Sequence, residues 1–464
     1  MSTFSGLSGA LSALYSQRRG MDVTGQNIAN ANTEGYSRQR AEMQAMGGSP
    51  VPAMYSVSDG TSGGVTISGV PRIQDAFLEA RGRVEHAQNT YLADQNRVFT
   101  NVQQAFGALS QVGLQTQLNE LWGSWHDLAN HPGDGAARNQ VIARSQTVTD
   151  TLHATHNALS SLFETTREQF TAYATDVNNT AAQAAQLNQA VIRGTLAGLP
   201  VNELADQRDA LVMHLAELTG ASAVPRANGS LDVVLGGSSL VSGDVARQVA
   251  VYGAGSLDTM TPSSTVGLKW TDNNAQVIVP SGQLGSSMKA MNDIIPQYSQ
   301  QLDDVAKTLA NAVNAKHVAG YDLSGNTGAS FFGTPGGVPV TAGNIAVLVT
   351  DPAKVAASGV SATGGNLDGS NADAIAGIGV TINGPDWKYR GLVANLGVDA
   401  QRAERLASMQ DILTKDVDSS RQAQSGVNLD EEMTNLIAYQ RAYQAASRVI
   451  STIDSTLDTL INRI

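Results

Sequence analysis

Residues 429–464 read LDEEMTNLIAYQRAYQAASRVISTIDSTLDTLINRI. Leu429, Leu436, Tyr443, Ile450, Leu457 and Ile464 stand seven apart without a break, and Tyr439, Ala446, Ile453 and Leu460 fill a second position of the same row. A period of seven is the coiled-coil period, which lays one apolar seam along one side of an α-helix. Asn428 with Glu431 predicts an N-cap and capping box, and Asp430, Glu431 and Glu432 suit the positive end of the helix. At about 1.5 Å per residue such a helix would reach about 54 Å.

The opposite end carries a weaker copy of the pattern. Phe4, Leu7, Leu11 and Leu14 alternate by three and four, and Met21 and Ile28 extend the line at intervals of seven. The row ends in residues 27–35, NIANANTEG, where Asn and Gly favour a helix stop. An amphipathic helix needs something to cover its seam. With one at each extreme of the chain, each is expected to cover the other, and neighbouring subunits are expected to cover and order what stays exposed. An ordinary intramolecular coiled coil that joins the ends of a globular protein accounts for the same spacing.

Between the ends, residues 72–220 read as long helices. Tyr91, Val98 and Ala105 keep a heptad line; Leu114, Leu118, Leu121, Trp122, Trp125 and Leu128 make a broad apolar face; Pro132-Gly133 is a turn. A long glycine-poor helix is expected from about Ala136 to Arg193, and a further one, with Asn202 as its cap, through Leu218. From about 221 the period changes to two. Leu231/Val233/Leu235, Val249/Val251 and Val277/Val279 predict short strands between Gly- and Ser-rich turns. A helix over 285–317 follows. Alternation at Ile345/Val347/Val349 and at Ile378/Val380/Ile382 suggests a small β-rich insert, and 398–424 reads as a polar helix.

The chain has 464 residues, 42% of them hydrophobic, with a net charge of −12. That is too long for one core. Its acidity argues against nucleic-acid binding and against an anionic membrane, which both want a basic face. No apolar run approaches a membrane span, so no membrane insertion is expected. The first residues do not form a secretory signal: Leu7, Leu11 and Leu14 are separated by small residues, and Arg18-Arg19 follow them. Without cysteine there are no disulfides, thiolate metal sites or cysteine nucleophiles.

Few residues suggest chemistry. His153 and His156 lie one helical turn apart but lack a third ligand at supporting spacing. Asp322, Ser324 and Asn326 echo a calcium loop, yet Thr327 replaces the required glycine and Gly333 the final Glu. Gly377-Ile378-Gly379 is not a dinucleotide loop, and neither G-x-S-x-G nor a phosphate loop is present. No catalytic residue, cofactor or metal is expected. Leu204-Ala205-Asp206-Gln207-Arg208-Asp209 reads either as a solvated helical turn or as a buried polar clamp, and charge density alone favours the solvated face.

Taken together, these residues resemble the axial proteins of the bacterial flagellum. Asn27-Ile28-Ala29-Asn30 with Thr33, Gly35 and Tyr36 is similar to the N-terminal signature of that group. Val427-Asn428-Leu429-Asp430-Glu431-Glu432, with Tyr439-Gln440 and Ala442-Tyr443-Gln444, is similar to its C-terminal one. Leu128-Ala129-Asn130-His131-Pro132, Ala136-Ala137-Arg138, Leu204 through Asp209, and Asn314, His317, Gly320, Asp322, Gly325, Gly328 and Phe331-Phe332 resemble the hook-associated protein 1 family in particular.

The resemblance implies an α+β fold, mainly α, in three parts. Residues 1–60 with 425–464 would form a terminal coiled-coil inner domain. Residues 61–335 with 396–424 would form a rod-like helical middle domain holding the β-rich segment 221–284. Residues 336–395 would form the small outer insert. The implied function is structural, at the junction of hook and filament, and not enzymatic. Implied partners are copies of itself in a ring, the hook protein below, a second hook-associated protein above, and a cytoplasmic export chaperone on the C-terminal helix. Export through the flagellar type III apparatus would make the protein extracellular. The expected assembly interface is Leu7, Leu11, Leu14, Met21 and Ile28 against Leu436, Tyr443, Ile450, Ile453, Leu457 and Leu460. A hook or rod subunit, an exported adhesin, and a peptidoglycan hydrolase on an axial scaffold are the alternatives; the last would need a carboxylate or metal constellation within 221–395.

Overall fold

The structure is a computed structural model and describes residues 3–33, 35–46, 63–107, 113–361 and 367–462. Helix α1 (Thr3–Ala29) leads into a hairpin of β1 (Glu42–Ala45) and β2 (Val65–Gly69). The helices α2 (Ala76–Ala105), α3 (Leu114–Asn130), α4 (Gly135–Leu196) and α5 (Asn202–Thr219) follow. Next come β3 (Ser222–Pro225), β4 (Leu231–Leu235), β5 (Ser238–Ser242), β6 (Val245–Ala246), β7 (Val249–Tyr252), β8 (Gly267–Trp270) and β9 (Gln276–Val277). The chain closes with α6 (Gly282–Lys289), a π turn at Ala290–Ile294, α7 (Ile295–His317), β10 (Phe332–Gly333), β11 (Ala346–Val347), α8 (Ser370–Ala376), α9 (Pro385–Ser425) and α10 (Leu429–Asn462). The fold is mainly α with a few small antiparallel sheets.

Two compact units share these elements. One holds residues 1–86, 178–247 and 412–464; the other holds 87–177 and 248–411. This cut differs from the three parts expected: the β-rich segment 221–284 divides between the units after Arg247, and α2, α4 and α9 each contribute to both.

The longest of the described helices is α4, 62 residues or about 93 Å at 1.5 Å each. Its buried residues recur every eleven positions in two rows: Val141, Leu152, Phe163, Ala174 and Ala185, then Val148, Leu159, Phe170 and Ala181. Eleven residues in three turns is close to the natural twist of an α-helix, and a slight right-handed supercoil keeps such a row on one face. The heptad row of α10 has the opposite geometry and favours a partner wound around it.

In the second unit α3 buries Leu114, Leu118, Leu121, Trp122, Trp125 and Leu128, as its spacing predicts. Trp125 packs edge to face on His317 and Phe331, which tilt against each other, with centroids 5.2–6.4 Å apart, and Phe332 packs edge to face on Phe331 at 5.0 Å. Asn314 fixes the Phe331-Phe332 backbone: its Oδ1 accepts from both N–H groups and its Nδ2 donates to the Phe332 carbonyl at 2.7 Å. The Ala356 N–H donates to His317 Nε2 at 2.9 Å, so the ring proton sits on Nδ1 and donates to the Ala329 carbonyl. Burial holds this imidazole below its ordinary pKa. Arg138, fully buried, donates to the carbonyls of Pro132, Val355 and Pro352. Asp322 accepts from the Ser324 and Asn326 N–H groups and closes its own turn. The middle motif is therefore a set of side chains that satisfy irregular buried backbone.

Three local expectations need correction. Ile378, Val380 and Ile382 do not form a strand but a 3-10 turn at Gly377–Val380 and the bend after it. Gly379 lies against Trp122, where a β-carbon would come within 2.5 Å of the ring, so the backbone is clamped onto α3; Val380 and Ile382 are left 87% and 81% exposed. Among the described residues of 336–395 the only strand is the two-residue β11. The helix expected over 285–317 is interrupted by the π turn, because Pro296 has no N–H to continue the α pattern.

Candidate assembly interface

The first unit is organised around the chain ends. Helices α1 and α10 pack antiparallel: Gly6 faces Ile453, Gly20 lies against the Tyr439 ring, and Asn27 bonds Glu432. Fourteen and then seven residues forward on α1 match the same steps backward on α10, so one heptad register holds throughout. Gly20 allows this close approach, since a β-carbon would lie 3.1 Å from three ring atoms of Tyr439 and the ring would have to give way.

The row on α10 half-buries Leu436, Tyr439, Tyr443, Ala446, Ile450, Ile453 and Leu457. The side chain of Leu460, like Phe4 and Ile464, lies outside the described residues. On α1 Leu7, Leu14, Met21 and Ile28 are half-buried, and Leu11 is 45% exposed. The fully buried positions of α1 are smaller: Ala10, Ser16, Gly20, Val23, Thr24 and Asn27. A reading keyed to large apolar residues misses them, although their spacing of three and four marks a face for close approach. Leu429, Met433 and Ile437, four apart, form a second apolar row on α10 that is about half exposed.

At the base of the pair the two terminal signatures meet. Asn27 is 1% exposed; its Oδ1 accepts from the Gln39 N–H at 3.0 Å and the Tyr36 hydroxyl at 2.9 Å, and its Nδ2 donates to the Gln39 carbonyl and to Glu432. Arg38 reaches Glu432 at 2.7 Å and Glu431 at 2.8 Å, and its N–H donates to the Ser425 carbonyl. Asn428 caps α10 through the Asp430 and Glu431 N–H groups. The reciprocal half of the expected capping box is replaced by the Glu431–Arg38 pair. Asn30 accepts from the Thr33 hydroxyl, and Gly35 turns the loop with φ +77°, a conformation that favours glycine.

The charged turn on α5 is buried, contrary to the solvated face expected. Asp206 accepts from the Ser37 N–H and from Arg72 at 2.7 Å; Asp209 binds Arg72 at 2.9 Å and also Arg208, whose Nη1 donates to the Gly229 carbonyl. Asn202 is not a cap: its amide donates to Gln39 and to the Val70 carbonyl. Burial, with Asp206 next, pushes the Tyr36 hydroxyl up to about 12, so it remains a donor. Arg38, Arg72 and Glu432 carry this network; only Glu432 stood within a recognised motif. Among the described residues no group of three or more His, Asp or Glu could hold a metal, and no helix is long and apolar enough to cross a membrane.

The model of the flagellar hook-associated protein FlgK helical domain matches residues 99–332. Flagellar hook-associated protein 1 of Bacillus subtilis is 30% identical over 95% of this chain and 94% of its own length. The chain belongs to the flagellar hook-associated protein 1 family. Its Escherichia coli member is 29% identical over 76% of this chain and 65% of its own length, so the chain spans a little under two thirds of that relative. The structure of the hook junction protein FlgK from Burkholderia pseudomallei superposes with a TM-score of 0.64 over 75% of this chain and all of that one; at 17% identity it shows the shared fold. Two further models, the flagella basal body rod protein over 7–36 and the C-terminal region of the basal body rod FlgEFG proteins over 419–463, match the two segments that the Asn27–Glu432 bond joins. Hook-associated protein 1 is thus a structural family that shares its ends with rod proteins and assembles within the flagellar axial structure.

Proposed function

We propose that the chain is the structural adaptor of the hook–filament junction, forming a ring of identical copies with the hook protein below and a second hook-associated protein above. The observation that carries this reading is the α1–α10 pair. Its seam is only half covered within one chain, and a second apolar row, Leu429/Met433/Ile437, faces outward beside it. Rows of this length call for partners. In this reading neighbouring copies supply the cover, and before assembly an export chaperone protects α10. The protein leaves the cell through the flagellar type III apparatus and works outside it.

Deletion of the gene, followed by electron microscopy and assay of flagellin in the medium, tests the role. Hooks without filaments and flagellin in the medium are expected; intact filaments would overturn it. Ile450→Asp tests the mechanism: the second unit stays folded, and the variant fails to enter the junction. Normal filaments on that mutant would show that the seam is not the assembly surface.

A further inference from the structure

Three helices of the first unit meet at one imidazole. His86 on α2 places Nδ1 3.0 Å from Glu217 Oε1 on α5, and Nε2 3.0 Å from both carboxylate oxygens of Asp418 on α9. Carboxylates only accept, so both contacts are hydrogen bonds only when both ring nitrogens carry protons. A neutral ring has one proton and turns a lone pair toward one of the two carboxylates. The surrounding charges are paired in turn. Arg421 of α9 bonds Asp418 at 3.2 Å and holds Glu79 of α2 through two bonds, and His214 of α5 lies 3.9 Å from Glu217. Arg83 of α2, half-buried, faces Glu79, Asp209, Arg208 and Arg421.

The position of this cluster gives it leverage. Asp418 and Arg421 sit in the last turns of α9; Ser425, one turn on, accepts the Arg38 N–H, and Asn428 then caps α10. A cleft of about 590 Å³ runs between the cluster and the signature loop, lined by His86, Glu217 and Asp418 at one side and Thr33, Gly35 and Tyr36 at the other. Whatever fixes the end of α9 therefore fixes the base of α10.

We propose that His86 is a proton-operated clasp: charged, it ties α2 to both α5 and α9 and sets the base of α10, and on losing its proton it releases one of them and loosens the joint between the terminal signatures. The hydrogen bond to Glu217 is the main favourable contact holding the imidazole above its ordinary value, and the bond to Asp418 adds to it. With the folded value raised, the clasp is complete below pH about 6.5 and is lost as pH rises through the folded value. On the function proposed above, alkaline conditions would then disfavour assembly; the clasp itself does not depend on that function.

Hydrogen exchange of the isolated full chain at pH 6 and pH 9, corrected for intrinsic rates, tests it. Amide protection over 418–432 is expected to fall several-fold in the wild type and to change less than about twofold in His86→Gln. Equal falls in both proteins, or none in the wild type, would overturn the clasp. Ring ¹⁵N shifts give a check that needs no variant: at pH 6, below the ordinary imidazole value, both His86 nitrogens are expected to be protonated, and a neutral tautomer there would overturn the proposal. Since both readouts use isolated protein, their failure is separate from failure of the junction assignment.

Discussion

The aromatic core of the second unit and the joined chain ends of the first use polar side chains differently. In the second unit Asn314, His317 and Arg138 each bond backbone atoms, and they sit beside an apolar cluster of Trp125, Phe331 and Phe332. Where the chain ends meet in the first unit, polar side chains bond backbone and also one another across distant parts of the chain: Asn27 and Arg38 with Glu432, Arg72 with Asp206 and Asp209, and the part-buried His86 with Glu217 and Asp418. Side chains that satisfy backbone close irregular loops around one core, and charged side chains that satisfy each other hold distant chain segments in register, beside a seam that is half-buried.

The contrast breaks hardest in the second unit. Phe331→Ala removes a fully buried ring and is expected to cost about 3–5 kcal/mol, read as a lowered midpoint of chemical denaturation. Hydrogen exchange should place the loss in α3, α7 and the 331–356 loops. A cost below about 1 kcal/mol would mean that the aromatic cluster is not what closes this unit.

In the first unit the decisive quantity is burial of the acid and not the number of ion pairs. Arg38 binds two adjacent carboxylates, of which the Glu432 side chain is 3% exposed and Glu431 58%. Breaking a buried pair leaves the other charge stranded, but Arg38 is partly solvated; Glu432→Gln is therefore expected to cost about 2 kcal/mol. Glu431→Gln should cost less than about 0.5 kcal/mol. Equal costs would show that charge near the helix start, and not the buried junction of the two signatures, is what matters.

The same contrast explains what could be read from sequence. The heptad row of α10 and the apolar face of α3 are periodic and local, so they are legible directly. The eleven-residue rows of α4 are equally regular but hide among alanines and threonines. The small buried residues of α1 carry little hydrophobic signal, and Leu11, which does, points outward. The network of the first unit is not local at all: Arg38 and Glu432 stand 394 residues apart, and Arg72 meets Asp206 across 134. The turn 204–209 is charged and buried, and only the presence of Arg72 and the Ser37 N–H distinguishes it from a solvated face. The bend at 377–382 has the alternation of a strand, but contact of Gly379 with Trp122 decides otherwise.

The smallest expected effect carries the most specific sign. His317 is held below its ordinary pKa by burial, so the stability it confers is present above pH about 6.5 and is lost as pH falls toward its folded value. His86 is held above its ordinary pKa chiefly by its bond to Glu217, so its contribution is complete below pH about 6.5 and is lost as pH rises through its folded value. Glu217, held down to about 2 chiefly by its bond from His214 and then by that from His86, stays ionised throughout this range. Region-resolved hydrogen exchange between pH 5 and 9 should therefore slope in opposite directions, with protection around 314–332 rising with pH and protection around 418–432 falling. Parallel slopes would mean that a global unfolding event masks both histidines. An inverted pair would mean that the protons sit on the opposite rings, a charge in the aromatic core and none between the two carboxylates, which neither environment can sustain.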